Sequence, residues 1–133
     1  MNANKIILIL ALLLFFSQFI YSGVNKITNF SKKVDILGKK TNFSKELNQF
    51  GMVSVILLEI IGSLIILGYF ISDTNNELYK NITLVILTIF SLFIIVVTAL
   101  YHPPGGKMIP FMSNLSILGA FLLLIYITLR KEV

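Results

Sequence analysis

The chain has 133 residues, a net charge of +5 and a 56% hydrophobic composition, with a mean hydropathy of +0.90. So apolar a composition suits a set of membrane spans better than a soluble domain of this length. It holds no Cys and one His, which excludes disulfides, thiolate nucleophiles, zinc fingers and iron–sulfur or bis-His haem ligation; no metal or haem is expected.

Ile6 to Gly23 is an apolar run of about 18 residues, long enough to span with little tilt. Lys5 before it and Ser22 before Gly23 also fit a signal peptide, although the run is long for an h-region and Ile20 is a poor residue near the cut. The segment 24–50 is the one long polar stretch, and six of the eleven basic residues fall between positions 26 and 45. Such clustering beside apolar runs points to a membrane surface, not to nucleic acid. Within it Ile27, Phe30, Val34 and Leu37 keep helical spacing, and Gly38 is the expected C-terminal cap. Phe43, Leu47 and Phe50 repeat that spacing, and TNFSK occurs at both 28–32 and 41–45. Two short amphipathic helices in the interface are predicted, with Lys32, Lys33, Lys39 and Lys40 available to anionic lipid or a docking partner. A solvated basic loop is the plainer alternative.

A second span covers 51–71 and carries a carboxylate, Glu59, near its middle. An ionised group there costs roughly 2.5–3.5 kcal/mol on insertion scales, so something inside the protein should neutralise it. The polar link 72–81 makes the neighbouring helices antiparallel, and a third span follows at 82–101. HPPGGK cannot continue a helix, and a fourth span covers 109–129, with Pro110 tolerated near its start. Arg130, Lys131 and Glu132 return the chain to water. The expected architecture is all-α: a single domain over 1–133, built as a four-transmembrane-helix bundle with an amphipathic interfacial segment between the first two spans. Seven Lys or Arg lie on the side of the long loop and four on the side of the termini, which leans towards a cytoplasmic long loop.

Measured by depth, the first span reaches Glu59 near Ser17 and Gln18. Gly51, Val55, Glu59 and Gly62 form one stripe of the second span, so small residues flank the carboxylate and admit a neighbouring helix. Thr88, Ser91, Thr98 and His102 line the third, Asn114 opens the fourth, and Gln18, Ser22 and Lys26 end the first. Gln18, Ser22, Lys26, Glu59, Thr98, His102 and Asn114 thus gather in the half nearest the long loop, and a polar cavity is predicted there, with Glu59 at its floor and Lys26 and His102 at its rim. Each has a plainer role: a protonated Glu59 as interhelical glue, Lys26 snorkelling to the interface, an interfacial His102, Asn114 capping a helix, and Ser and Thr bonded back to their own helices.

The string FFSQFIYSGVNKI, with Ser22, Gly23 and Lys26, resembles the first-helix signature of the DoxX-like membrane proteins. LLEIIGSLIILG, with Glu59, Gly62 and Gly68, is similar to their second-helix pattern, and the stretch from His102 and Pro103 through Phe111, Asn114, Leu115 and Gly119 resembles their third-to-fourth helix junction. The basic 24–50 loop and the PPGGK turn depart from that pattern. The resemblance implies a four-helix membrane bundle in which the first helix is retained, with Gly23, Gly62 and Gly119 as packing glycines. Some members of that family are subunits of quinone-reducing oxidoreductases or oxidant-defence complexes, and wider relatives serve cargo handling or receptor assembly.

Three functions are therefore expected, in this order. The first is a non-catalytic small subunit or assembly factor with a protein partner in the lipid bilayer. The second is a subunit binding quinone near Glu59 and His102, with electrons from another chain. The third is a small proton-coupled carrier using Glu59. No catalytic residue is assigned.

Overall fold

A computed structural model describes residues 2–130; Met1 and 131–133 lie outside the described residues, and with them the expected return of Lys131 and Glu132 to water. The described chain is all-helical, and four of its helices are long and apolar enough to cross a membrane. It falls into two compact units, Met1–Thr74 and Asn75–Val133.

The first unit contains α1 (Ala3–Thr28), α2 (Phe30–Thr41) and α3 (Lys45–Ser72). Asn2 caps α1 by accepting the Lys5 backbone N–H at 2.8 Å, satisfying one of the free donors of the first turn. Leu12, Phe16, Phe19 and Gly23 are the buried residues of α1, spaced 4, 3 and 4 apart. That periodicity is the seam of a helix packed against an antiparallel neighbour, here α3. Along α3 the buried residues are Asn48, Met52, Glu59, Gly62, Ser63, Ile66, Leu67, Tyr69 and Phe70.

Two expectations for the polar stretch are corrected. The first helix does not stop at Gly23: it runs five residues further, to Thr28, because nothing in Val24 to Thr28 breaks a helix. Nor are there two separate interfacial helices. α2 is one, but it continues past Gly38 and ends at Asn42, whose left-handed backbone (φ 59°) returns its N–H to the Gly38 carbonyl. Gly38 is therefore an acceptor inside the final turn and not the cap. The second segment is the start of α3, which begins at Lys45 under the Ser44 cap and continues unbroken into the span. Each copy of TNFSK thus straddles a helix break: Asn29 (φ −121°, ψ 37°) separates α1 from α2, and Asn42 to Ser44 separate α2 from α3.

α2 packs on α3 and buries Val34, and a buried amide pins the join. Asn48 is 3% exposed; its side-chain N–H donates to the Phe43 carbonyl at 3.1 Å, and its oxygen accepts from the Thr41 hydroxyl at 2.9 Å. At the opposite end of the unit, the Lys5 ammonium donates to the Phe70 carbonyl at 2.8 Å and lies 3.5 Å from the Asp73 carboxylate. A cation there complements the free carbonyls and negative dipole end of α3.

The second unit is the antiparallel pair α4 (Glu77–Tyr101) and α5 (Met108–Arg130). α4 begins five residues before the expected span, because Asn76 caps it by accepting the Tyr79 N–H. The HPPGGK segment turns between Pro103 and Gly106, whose N–H returns to the Pro103 carbonyl at 2.9 Å, and Pro110 occupies the first turn of α5. The stacked rings of Phe90 and Phe121, 4.8 Å between centroids and 15° between planes, set the register of this hairpin. Seven residues along each helix, Thr83 and Thr128 fall at one level, both fully buried.

Candidate functional site

The next residue on the buried seam of α1 after Gly23 is Lys26, so its long side chain is delivered to α3 as long as the helix continues. It ends 2.7 Å from Glu59 Oε1, and the ammonium also donates to the Ser22 hydroxyl one turn back. The Glu59 side chain is 3% exposed and that of Lys26 20%. The two charges neutralise each other, which answers the cost of placing a carboxylate midway along an apolar helix. The ammonium approaches Oε1 outside hydrogen-bond angles, so this buried oxygen has a counter-charge but no oriented donor.

Glu59 also occupies an irregular turn. Residues Leu58–Gly62 form a π-helical turn within α3, a wider turn that inserts one residue and rotates the buried stripe below it. The Ser63 hydroxyl, fully buried, donates to the Glu59 carbonyl, while the Ser63 backbone N–H bonds the Ile60 carbonyl. The hydroxyl thereby supplies the Glu59 carbonyl with a donor inside the widened turn.

Gly23 makes the approach possible. A Cβ placed there would lie 2.5 Å from Ile60 Cγ1, 3.0 Å from Ile60 Cδ1 and 3.4 Å from Glu59 Cβ. α1 therefore lies in close contact with α3 at the π turn, beside the Lys26–Glu59 pair. Ser22, Gly23, Lys26, Glu59 and Ser63 make up the site.

Gln18 is exposed and does not face Glu59; α1 meets the level of the carboxylate five residues later, at Gly23, with Lys26 reaching back to it, because α1 is longer and α3 starts earlier than the hydropathy edges indicate. Lys26 turns inward to a partner instead of snorkelling away. Thr98, His102 and Asn114 belong to the second unit. There the buried Thr98 hydroxyl donates to the Ile94 carbonyl of its own helix at 2.6 Å. His102 is the partly buried residue closing α4, its N–H bonded to the Thr98 carbonyl. Asn114 is partly buried in the second turn of α5, too far in to cap it. Gly62 is buried in the π turn, whereas Gly119 is exposed and a Cβ on it would meet nothing within 4 Å.

Ser63 and the Lys5 clasp on Phe70 and Asp73 were not singled out from the sequence. A signal existed for the first: Ser63 stands four residues after Glu59, the spacing at which a hydroxyl reaches back to a carbonyl. Among the described residues no group of three or more His, Cys, Asp or Glu is placed to hold a metal ion. No family model, curated protein or solved structure matches this chain.

Proposed function

We propose that the chain is a multi-pass integral membrane protein of the DoxX-like kind, acting as a non-catalytic small subunit or assembly factor of a membrane complex. The observation that supports this reading is the Lys26–Glu59 pair. Its carboxylate is closed off and already neutralised by the same chain, an arrangement suited to fixing how α1 sits on α3 and so presenting a defined outer surface to a partner. Lys26 and Gly23 come from one of the resemblance motifs and Glu59 from another, and the two meet in the fold.

The test is native purification in mild detergent, with mass spectrometry of whatever protein, lipid or quinone accompanies the wild type and the Glu59→Gln variant. A stoichiometric membrane-protein partner supports the subunit reading. A protein that emerges alone in both forms, and shows substrate-dependent flux in liposomes that Glu59→Gln abolishes, refutes it. That result would favour a proton-coupled carrier, a reading with its own observation: Glu59 sits in a π turn, a frequent mark of functional positions, with one oxygen lacking an oriented donor.

A further inference from the structure

We propose that α2 and the first two turns of α3 form a docking surface for the anionic phospholipids of one leaflet. The inference rests on the membrane reading above and begins with helix length. α3 has 28 residues and is about 42 Å long, against about 30 Å for a hydrocarbon core. Its lower end is fixed by the clasp of Lys5 on Phe70 and Asp73, a cluster of charge that belongs at a water boundary. Counting about 30 Å up from Phe70 reaches the neighbourhood of Gly51. Lys45 to Phe50 therefore project into the headgroup layer.

Yet this projecting end is not dressed for water alone. Leu47 is 51% exposed and Phe50 71%, and Phe43 in the link before them is 60% exposed. Beside these apolar groups α2 turns a polar face outward, with Lys32 and Lys39 exposed on it two turns apart. Lys33, Lys40 and Lys45 add to the same end, and Asp35 and Glu46 are the acids that oppose them, leaving a clear positive excess. Apolar and aromatic groups at headgroup depth beside an ammonium cluster match a negatively charged leaflet, where each such cation adds to the attraction. An uncharged leaflet satisfies the apolar groups and not the lysines.

The chain has no Trp, so a single indole reports position. F50W, and as a control L14W at a 75% exposed site of α1, are made in the full-length protein and reconstituted in vesicles. Each vesicle contains brominated phosphatidylglycerol or brominated phosphatidylcholine at equal mole fraction, and indole quenching is read. The expected result for F50W is quenching by the anionic lipid that indicates about fivefold enrichment over the zwitterionic one. That preference should collapse in K32Q/K33Q/K39Q/K40Q and in about 0.5 M salt, which screens the attraction without a mutation. L14W should show no preference. Equal quenching of F50W by the two lipids overturns the proposal and leaves the membrane reading standing. Quenching of L14W but not of F50W by either lipid also overturns it and assigns the surface to a protein partner. Failure of both positions to be quenched refutes the membrane reading itself.

Discussion

The Lys26–Glu59 pair should respond very differently to loss of one partner than to loss of the other. Replacing Lys26 with Met keeps the length and apolar stem of the side chain but strands a carboxylate that is 3% exposed and whose Oε1 has no oriented hydrogen-bond donor. Removing one member of a buried pair typically costs about 3–5 kcal/mol because the survivor is left uncompensated. Glu59→Gln leaves the survivor in a better position. The Lys26 side chain is 20% exposed, lies near the end of α1 and keeps its bond to Ser22, so it can swing towards water at a cost of about 1 kcal/mol. The difference between the variants is thus about 2–4 kcal/mol, and the double variant should recover most of what Lys26→Met loses. Unfolding in mixed micelles of increasing denaturing detergent, followed by circular dichroism, measures all four proteins. Equal losses in the two single variants, or a greater loss in Glu59→Gln, would refute the account of Glu59 as the buried member and Lys26 as the adaptable one.

Other substitutions test neighbouring parts of the fold. Gly23→Val should wedge α1 away from the π turn, since even a Cβ meets the stiff side chain of Ile60; a loss of about 1–3 kcal/mol in the same titration is expected, and an unchanged midpoint would mean that the helices do not approach closely there. Asn48→Ala removes the bonds to Thr41 of α2 and to the Phe43 carbonyl of the link and should cost about 1–3 kcal/mol, read as faster proteolysis between residues 41 and 45 than in wild type. Thr83→Val should run the other way: its buried hydroxyl oxygen has no hydrogen-bond partner, so an isosteric methyl should leave stability unchanged or raise it by about 1 kcal/mol, and a clear loss would show that the hydroxyl is satisfied.

The spans were legible in the sequence because apolar runs of membrane length have few other uses, and all four expected segments lie wholly within the observed helices α1, α3, α4 and α5. Their ends were not legible. Hydropathy marks where side chains cease to be oily, while a helix ends where its backbone bonds find another acceptor or donor. Thus α1 carries Asn25 and Lys26 without interruption, and α3 begins at Lys45 under the Ser44 cap, six residues before Gly51. This difference displaced the level of Glu59 from Gln18 to Gly23, within reach of the Lys26 side chain. The small residue needed at the crossing, Gly23, could be read from its type. The π turn could not, because it is a choice among backbone hydrogen bonds that Leu-Glu-Ile-Ile-Gly allows but does not dictate.

The separation of Lys26 from Glu59 along the chain also orders events during synthesis. At about 5–20 residues per second, α1 exists for about 2–7 s before the carboxylate that will neutralise its ammonium has been made. During that interval Lys26, close to the end of its helix, can keep its charge among the headgroups, whereas a lysine at the centre of α1 would have no such refuge. Glu59 meets no comparable delay, since its counter-charge is already waiting when α3 enters. The pair therefore acts as a latch closed by the second helix, and a chain truncated before Glu59 should hold α1 in a shallower position than the finished protein does.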